Sequence, residues 1–255
     1  MQYLTVDGWS IAHKAKWADN PRGSVIFVHG SGGDHHVWEA QLQLLPDSFT
    51  GIALDLPGHG HSSGPMLETI EAGAQLLSRL PAWLNLPRPL WLAGHSMGSA
   101  MAITAALDYG QPVDGLVLIG SGSRLRVLPA LLDSLREGNI DPSFFRVSFS
   151  PATPADIWEK ELALMLQTHP EILLNDFSAC DQFDRSADIS AIKVPVLLIT
   201  GEDDRLTPLK YAEFLRDRIA TAKLIIVPQA GHQVMLEKPD AVSKAIADFL
   251  SAASN

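Results

Sequence analysis

Short apolar runs recur along the chain at Val25–Val28, Ile52–Leu54, Leu90–Ala93, Leu116–Ile119, Val196–Ile199 and Leu224–Val227. Each is four residues or fewer, most are rich in Val, Ile or Leu, and most have Gly, Pro or Asp at one end or both. Continuous apolar runs of this length predict strands buried on both faces, as in parallel sheets. Helical patterns lie between them at Val37–Leu45, Leu67–Leu84, Met97–Asp108, Leu209–Ile219 and Asp240–Ala252. Gly110 provides a stop for the third. Strand alternating with helix predicts an α/β fold with a doubly wound, mostly parallel sheet. The first twenty residues alternate more loosely around Asp7-Gly8 and predict an antiparallel hairpin at the sheet edge.

One stretch breaks this rhythm. From Ser123 to Ser186 there is no strand signal, and the helical pieces Val127–Glu137, Pro154–Gln167 and Glu171–Phe177 are punctuated by prolines. Residues 123–186 therefore read as a helical insertion in a core made of residues 1–122 and 187–255. The insertion leaves the sheet after a strand, so it is expected to lie over the site as a cap.

Composition narrows the field. The 255 residues are 46% hydrophobic and 19% charged, enough for a sizeable core. A formal net charge of −10 and no Lys/Arg-rich run argue against nucleic acid as partner. The N-terminal stretch lacks a signal pattern, and no apolar run reaches the roughly 20 residues a membrane span needs. With Cys180 as the single cysteine, the expectation is a cytoplasmic protein that does not bind membrane. No heptad pattern indicates an oligomeric state.

Chemistry concentrates at strand ends. Leu90-Trp91-Leu92-Ala93 runs directly into Gly94-His95-Ser96-Met97-Gly98 and then a helix. A sharp strand-to-helix turn exposes a serine hydroxyl above the sheet, and its flanking positions take only glycine. Ser96 is the candidate nucleophile; the plainer alternative is a serine that caps the helix. A serine needs a base. His232 follows the last apolar run, at the carboxyl end of a strand, and is the last of nine histidines. Asp203 and Asp204, which follow Val196–Thr200, both keep the order Ser, Asp, His and could orient it. His29-Gly30-Ser31-Gly32-Gly33 ends the first buried run, and the N–H groups of Ser31 and Met97 are the candidate oxyanion donors. Asp55, His59 and His61 would suit a metal by composition, but a hydrogen-bonded turn accounts for them more simply. The adjacent His35 and His36 point apart. No metal site is expected.

These motifs, with Asp55-Leu56-Pro57-Gly58-His59-Gly60-His61-Ser62, resemble the α/β-hydrolase family over nearly the whole chain. The small capped esterases, lactonases and C–C bond hydrolases are the nearest likenesses. The resemblance implies Asp204 as the acid, three residues after Gly201 and four before Pro208. It also implies that Asp55–Ser62 is structural. It disfavours dehalogenases and epoxide hydrolases, which carry aspartate at the position of Ser96. The expected activity is hydrolysis of small to medium, mostly uncharged esters by Ser96, His232 and Asp204, with no cofactor. A lactonase, thioesterase or C–C bond hydrolase would use the same groups. A ligand-binding receptor is the non-enzymatic alternative. Trp38, Phe144, Phe149, Trp158 and Met165, with Phe145 and Phe183, are candidates to line a pocket for the small-molecule substrate.

Overall fold

The computed structural model describes residues 1–109 and 113–253, so the expected Gly110 stop lies outside the described residues. In chain order the strands are β1 (Gln2–Val6), β2 (Trp9–Lys16), β3 (Ser24–Val28), β4 (Thr50–Leu54), β5 (Leu90–His95), β6 (Gly115–Ile119), β7 (Val196–Gly201) and β8 (Ala222–Val227). They form one sheet in the order β1-β2-β4-β3-β5-β6-β7-β8. The last six in that order run parallel, and β1 and β2 are antiparallel. Asp7 (φ 50°) and Gly8 (φ 86°) turn the chain between β1 and β2, pairing Val6 with Trp9. Two consecutive left-handed residues are what a tight hairpin turn requires.

The helices are α1 (Glu39–Leu44), α2 (Ile70–Trp83), α3 (Met97–Asp108), α4 (Pro129–Arg136), α5 (Pro142–Arg146), α6 (Ala155–Met165), α7 (Pro170–Gln182), α8 (Leu209–Arg218), α9 (Val234–Glu237) and α10 (Pro239–Ala253). Strand periodicity divides the core. Ile26 and Val28 pack on one face with α2 and α3, while Val25 and Phe27 pack on the other with α1 and α10. The run at β8 is the exception to burial on both faces. It is an edge strand with one neighbour, and Ile225 and Ile226 are exposed. The predicted helix at Val37–Leu45 divides into a 3-10 turn, His35–Trp38, and α1. The helix expected from Leu67 starts at Ile70, because the Thr69 side chain accepts from the Ala72 N–H and caps it.

Between β6 and β7 the chain makes only helices α4–α7 and a short 3-10 turn. Where this segment leaves and returns, Arg124 and Asp184 form an antiparallel bridge, and the Ser123 and Ser186 hydroxyls lie 2.9 Å apart. The segment has a small core of its own, built on Leu131, Leu135, Phe145 and Leu173.

Candidate active site

Ser96 follows β5 with φ 51° and ψ −112°, a strained conformation for a residue with a side chain. The turn is possible because its neighbours have no Cβ. One on Gly94 would lie 2.3 Å from the Gly98 carbonyl, and one on Gly98 would lie 2.3 Å from the Val28 oxygen. Ser96 occupies the N-cap position of α3, yet its hydroxyl makes no capping bond. That removes the plainer alternative and leaves the hydroxyl for the cavity that Ser96 lines.

His232 lines the same cavity, of about 700 Å³. Its Nδ1 donates to Asp204 Oδ2 at 2.9 Å. Asp204 also accepts from the Leu206 and Thr207 N–H groups and the Thr207 hydroxyl, at 2.7–2.9 Å. Burial alone would raise the pKa of Asp204, but His232 and these donors hold it below the usual carboxylate value. An ionised Asp204 fixes the proton on Nδ1. Among the described residues, Nε2 of His232 has no hydrogen-bond partner, so its lone pair is available to the cavity. Asp203 instead accepts from the Ser150 hydroxyl.

Three groups that the sequence did not single out hold His232 in place. His95 Nε2 donates to the His232 carbonyl at 3.0 Å, and burial beside His232 pushes the His95 pKa down to about 3. His95 is therefore a neutral donor. The Ser148 carbonyl accepts from the His232 N–H at 2.7 Å. Glu237 accepts from the Gly231 N–H at 2.9 Å, from the Ser150 N–H at 2.8 Å and from the Thr153 hydroxyl. Burial raises the Glu237 pKa against the pull of those donors.

The loop after β3 approaches Ser96 closely. A Cβ on Gly30 would sit 2.8 Å from His95 Nδ1 and 3.2 Å from Ser96 Cβ. Ser31 Oγ reaches Met97 Sδ at 3.8 Å, so the two residues that carry the candidate oxyanion donors are in contact through their side chains. Among the described residues neither N–H has an acceptor. His29, fully buried, sits beneath this loop with Nδ1 bonded to the Gly30 carbonyl and Nε2 accepting from Leu56 N–H. Burial and the neighbouring His59 push its pKa down to about 4.

The turn at Asp55–Ser62 is densely hydrogen-bonded. Asp55 accepts from the His35 N–H, His35 Nδ1 and the His61 N–H at 2.7–2.8 Å. Asp34, His35 and Asp55 bring donor atoms within 4.8 Å of one another. The His35 nitrogen facing Asp55 donates a proton there, so it offers no lone pair to an ion.

Of the expected pocket residues, Phe144, Phe145, Phe149 and Met165 line the cavity. Trp38, Trp158 and Phe183 are corrections. Trp38 is fully buried against Phe27, 5.3 Å between ring centroids, because the 3-10 turn points it below the sheet and leaves Val37 and His36 at the cavity. Trp158 is covered instead by the Arg146 guanidinium at 4.8 Å. Phe183 is buried in the main core.

The comparisons agree with this architecture. The model of the alpha/beta hydrolase family matches residues 25–245. A putative carbamate hydrolase, RutD, from Caulobacter sp. (strain K31) is 28% identical over 269 residues, with 98% of each chain covered. The solved structure of a thermophilic esterase is 32% identical with a TM-score of 0.85, covering 99% of this chain and 97% of that one. An enol-lactonase from Burkholderia xenovorans LB400 shares the fold at 24% identity and a TM-score of 0.86, covering 98% of this chain and 100% of that one.

Proposed function

The chain belongs to the alpha/beta hydrolase family, and from that premise we propose that it is a serine esterase whose triad is Ser96, His232 and Asp204. One observation carries the reading. A strained serine with an uncommitted hydroxyl shares a cavity with a histidine whose Nδ1 is held by a buried carboxylate and whose Nε2 is open.

His232 Nε2 takes the Ser96 proton as Oγ attacks the ester carbonyl. The Ser31 and Met97 N–H groups receive the oxyanion, and the N-terminus of α3 adds its positive end. His232 then protonates the leaving alcohol, and the same base activates water to release the acid. Asp204 stays ionised and stabilises the imidazolium. The steps require no cofactor.

Residues 123–186 serve in this reading as a cap. Leu125, Phe144, Phe149, Leu162, Met165 and Phe177 give the cavity an apolar interior suited to an uncharged acyl chain. Of the charged lining residues, Arg126 and Arg205 are exposed, while Asp34, His36 and Glu161 are half-buried and paired with one another. A single cysteine fits a reducing, cytoplasmic setting.

The test is Ser96→Ala with p-nitrophenyl esters. We expect kcat to fall about 10⁴-fold or more with Tm unchanged. Retained turnover overturns the assignment. A set of acyl chains tests the pocket: neutral chains are expected to be cleaved faster than a succinate half-ester, and the reverse order overturns that part.

A further inference from the structure

The tip of the loop that carries Ser31 is held by the helical segment over it. Gly32 has φ +67°, and a Cβ there would lie 2.3 Å from Leu173 Cδ2 on α7. The Gly32 N–H donates to Asp176 Oδ2, also on α7, at 2.8 Å, and its carbonyl accepts from the Thr168 hydroxyl at 3.3 Å. One residue earlier, Ser31 Oγ contacts Cys180 Sγ at 3.6 Å, one helical turn beyond Asp176. Both polar groups of Gly32 are thus engaged by residues 168–176 rather than by the sheet.

Asp176 is itself fixed. The same Oδ2 accepts from His59 Nε2 at 2.8 Å, and both side chains are buried. His59 Nδ1 reaches the Pro57 carbonyl at 3.1 Å, so both ring nitrogens donate and the ring is an imidazolium. This matters for an oxyanion site. A bare carboxylate this close to Ser31 would oppose negative charge forming there, whereas a carboxylate paired with an imidazolium adds little net field.

Resting on the assignment of Ser31 as an oxyanion donor, we infer that Asp176 is a positioning residue for the reaction: it sets the Gly32 peptide from the cap, and through it the direction of the Ser31 N–H. Without Asp176 the half-buried Gly32 N–H loses its acceptor, and the loop relaxes toward another partner. The cap then has two roles, shaping the cavity and completing the oxyanion site.

The test compares Asp176→Ala and Asp176→Asn with the native enzyme, using p-nitrophenyl butyrate and an alkyl trifluoromethyl ketone, whose serine adduct carries the oxyanion. For Asp176→Ala we expect kcat to fall about 10- to 100-fold, with KM changed less than about 3-fold and the ketone's Ki rising in parallel with the loss of kcat. Asp176→Asn keeps an oxygen for the Gly32 N–H and is expected to recover most of kcat. Unchanged kcat, or a KM rise with Ki unchanged, overturns the inference. If Asp176→Ala does not fold, Thr168→Val carries the test with a smaller loss of the same pattern, and unaltered kcat and Ki there overturn it. Ser96→Ala separates the two claims. If it stays active, the triad reading fails; if it is inactive while Asp176→Ala is fully active, only this inference fails.

Discussion

Two histidine–aspartate pairs are buried against the same cavity, His232 with Asp204 and His59 with Asp176. Their separations are nearly equal, 2.9 and 2.8 Å. The difference lies at the second ring nitrogen. That of His232 has no partner among the described residues, while that of His59 donates to the Pro57 carbonyl. A carboxylate beside an imidazole therefore does not make a general base. The ring also needs an open lone pair directed at the reacting group. The pairs also join different parts: Asp204 and His232 follow two neighbouring strands, whereas Asp176 ties α7 to the turn at His59.

The sharpest way to break the comparison is to exchange both histidines for glutamine. His232→Gln is expected to lower kcat about 10⁴-fold or more with little change in Tm. His59→Gln is expected to lower Tm clearly and kcat far less. Equal losses of kcat would erase the distinction. Asp204→Asn comes next, with a kcat loss approaching that of His232→Gln, because the amide no longer enforces the Nδ1–H tautomer. Steady-state kinetics would check both.

The smallest effect concerns His36, which bonds Asp34 through Nδ1 and Glu161 on α6 through Nε2, the latter at 2.8 Å. Burial lowers the pKa of His36, but the two carboxylates outweigh it and raise the pKa to about 10. Its other titratable neighbours include His35, beside Asp34, and Glu39, whose carboxyl Lys14 and, to a smaller extent, the nearby His36 charge hold down. A pKa raised on folding contributes stability that is full below about 6.5 and is lost as pH rises through about 10. Glu161→Gln is expected to lower Tm by about 2–4 °C near pH 7, with the difference shrinking toward pH 10. Melting curves across that range check the sign.

Much of the site could be read along the chain because its constraints are local. Gly94 and Gly98 are demanded by a turn within a few residues of Ser96, and the alternation in β3 is visible without any partner. The failures have the opposite character. Trp38 reads along the chain as one more candidate pocket aromatic, and only the path of the 3-10 turn packs it against Phe27 instead. Asp176 and Glu237 sit on helices where an acid reads as a solvent-facing position. Their partners His59 and Ser150 are 117 and 87 residues away in sequence, so no spacing rule links them. The weak hydrophobic separation of residues 123–186 hid α5 altogether, a five-residue helix.

The bridge between Arg124 and Asp184 closes the helical segment into a loop that returns to its starting point. To the sheet, everything between those two residues is a detour of zero net displacement. Such a detour is open to replacement: a segment of different length or shape can be grafted there without asking β6 or β7 to move. The hydrogen bond from Gly32 sets the condition on the exchange. A graft that offers a new pocket but no acceptor at the place of Asp176 would change what the enzyme holds while weakening what it does. Pocket and oxyanion loop thus depend on the same inserted segment, the first through Phe144, Leu162 and Met165 on α5 and α6 and the second through Asp176 on α7.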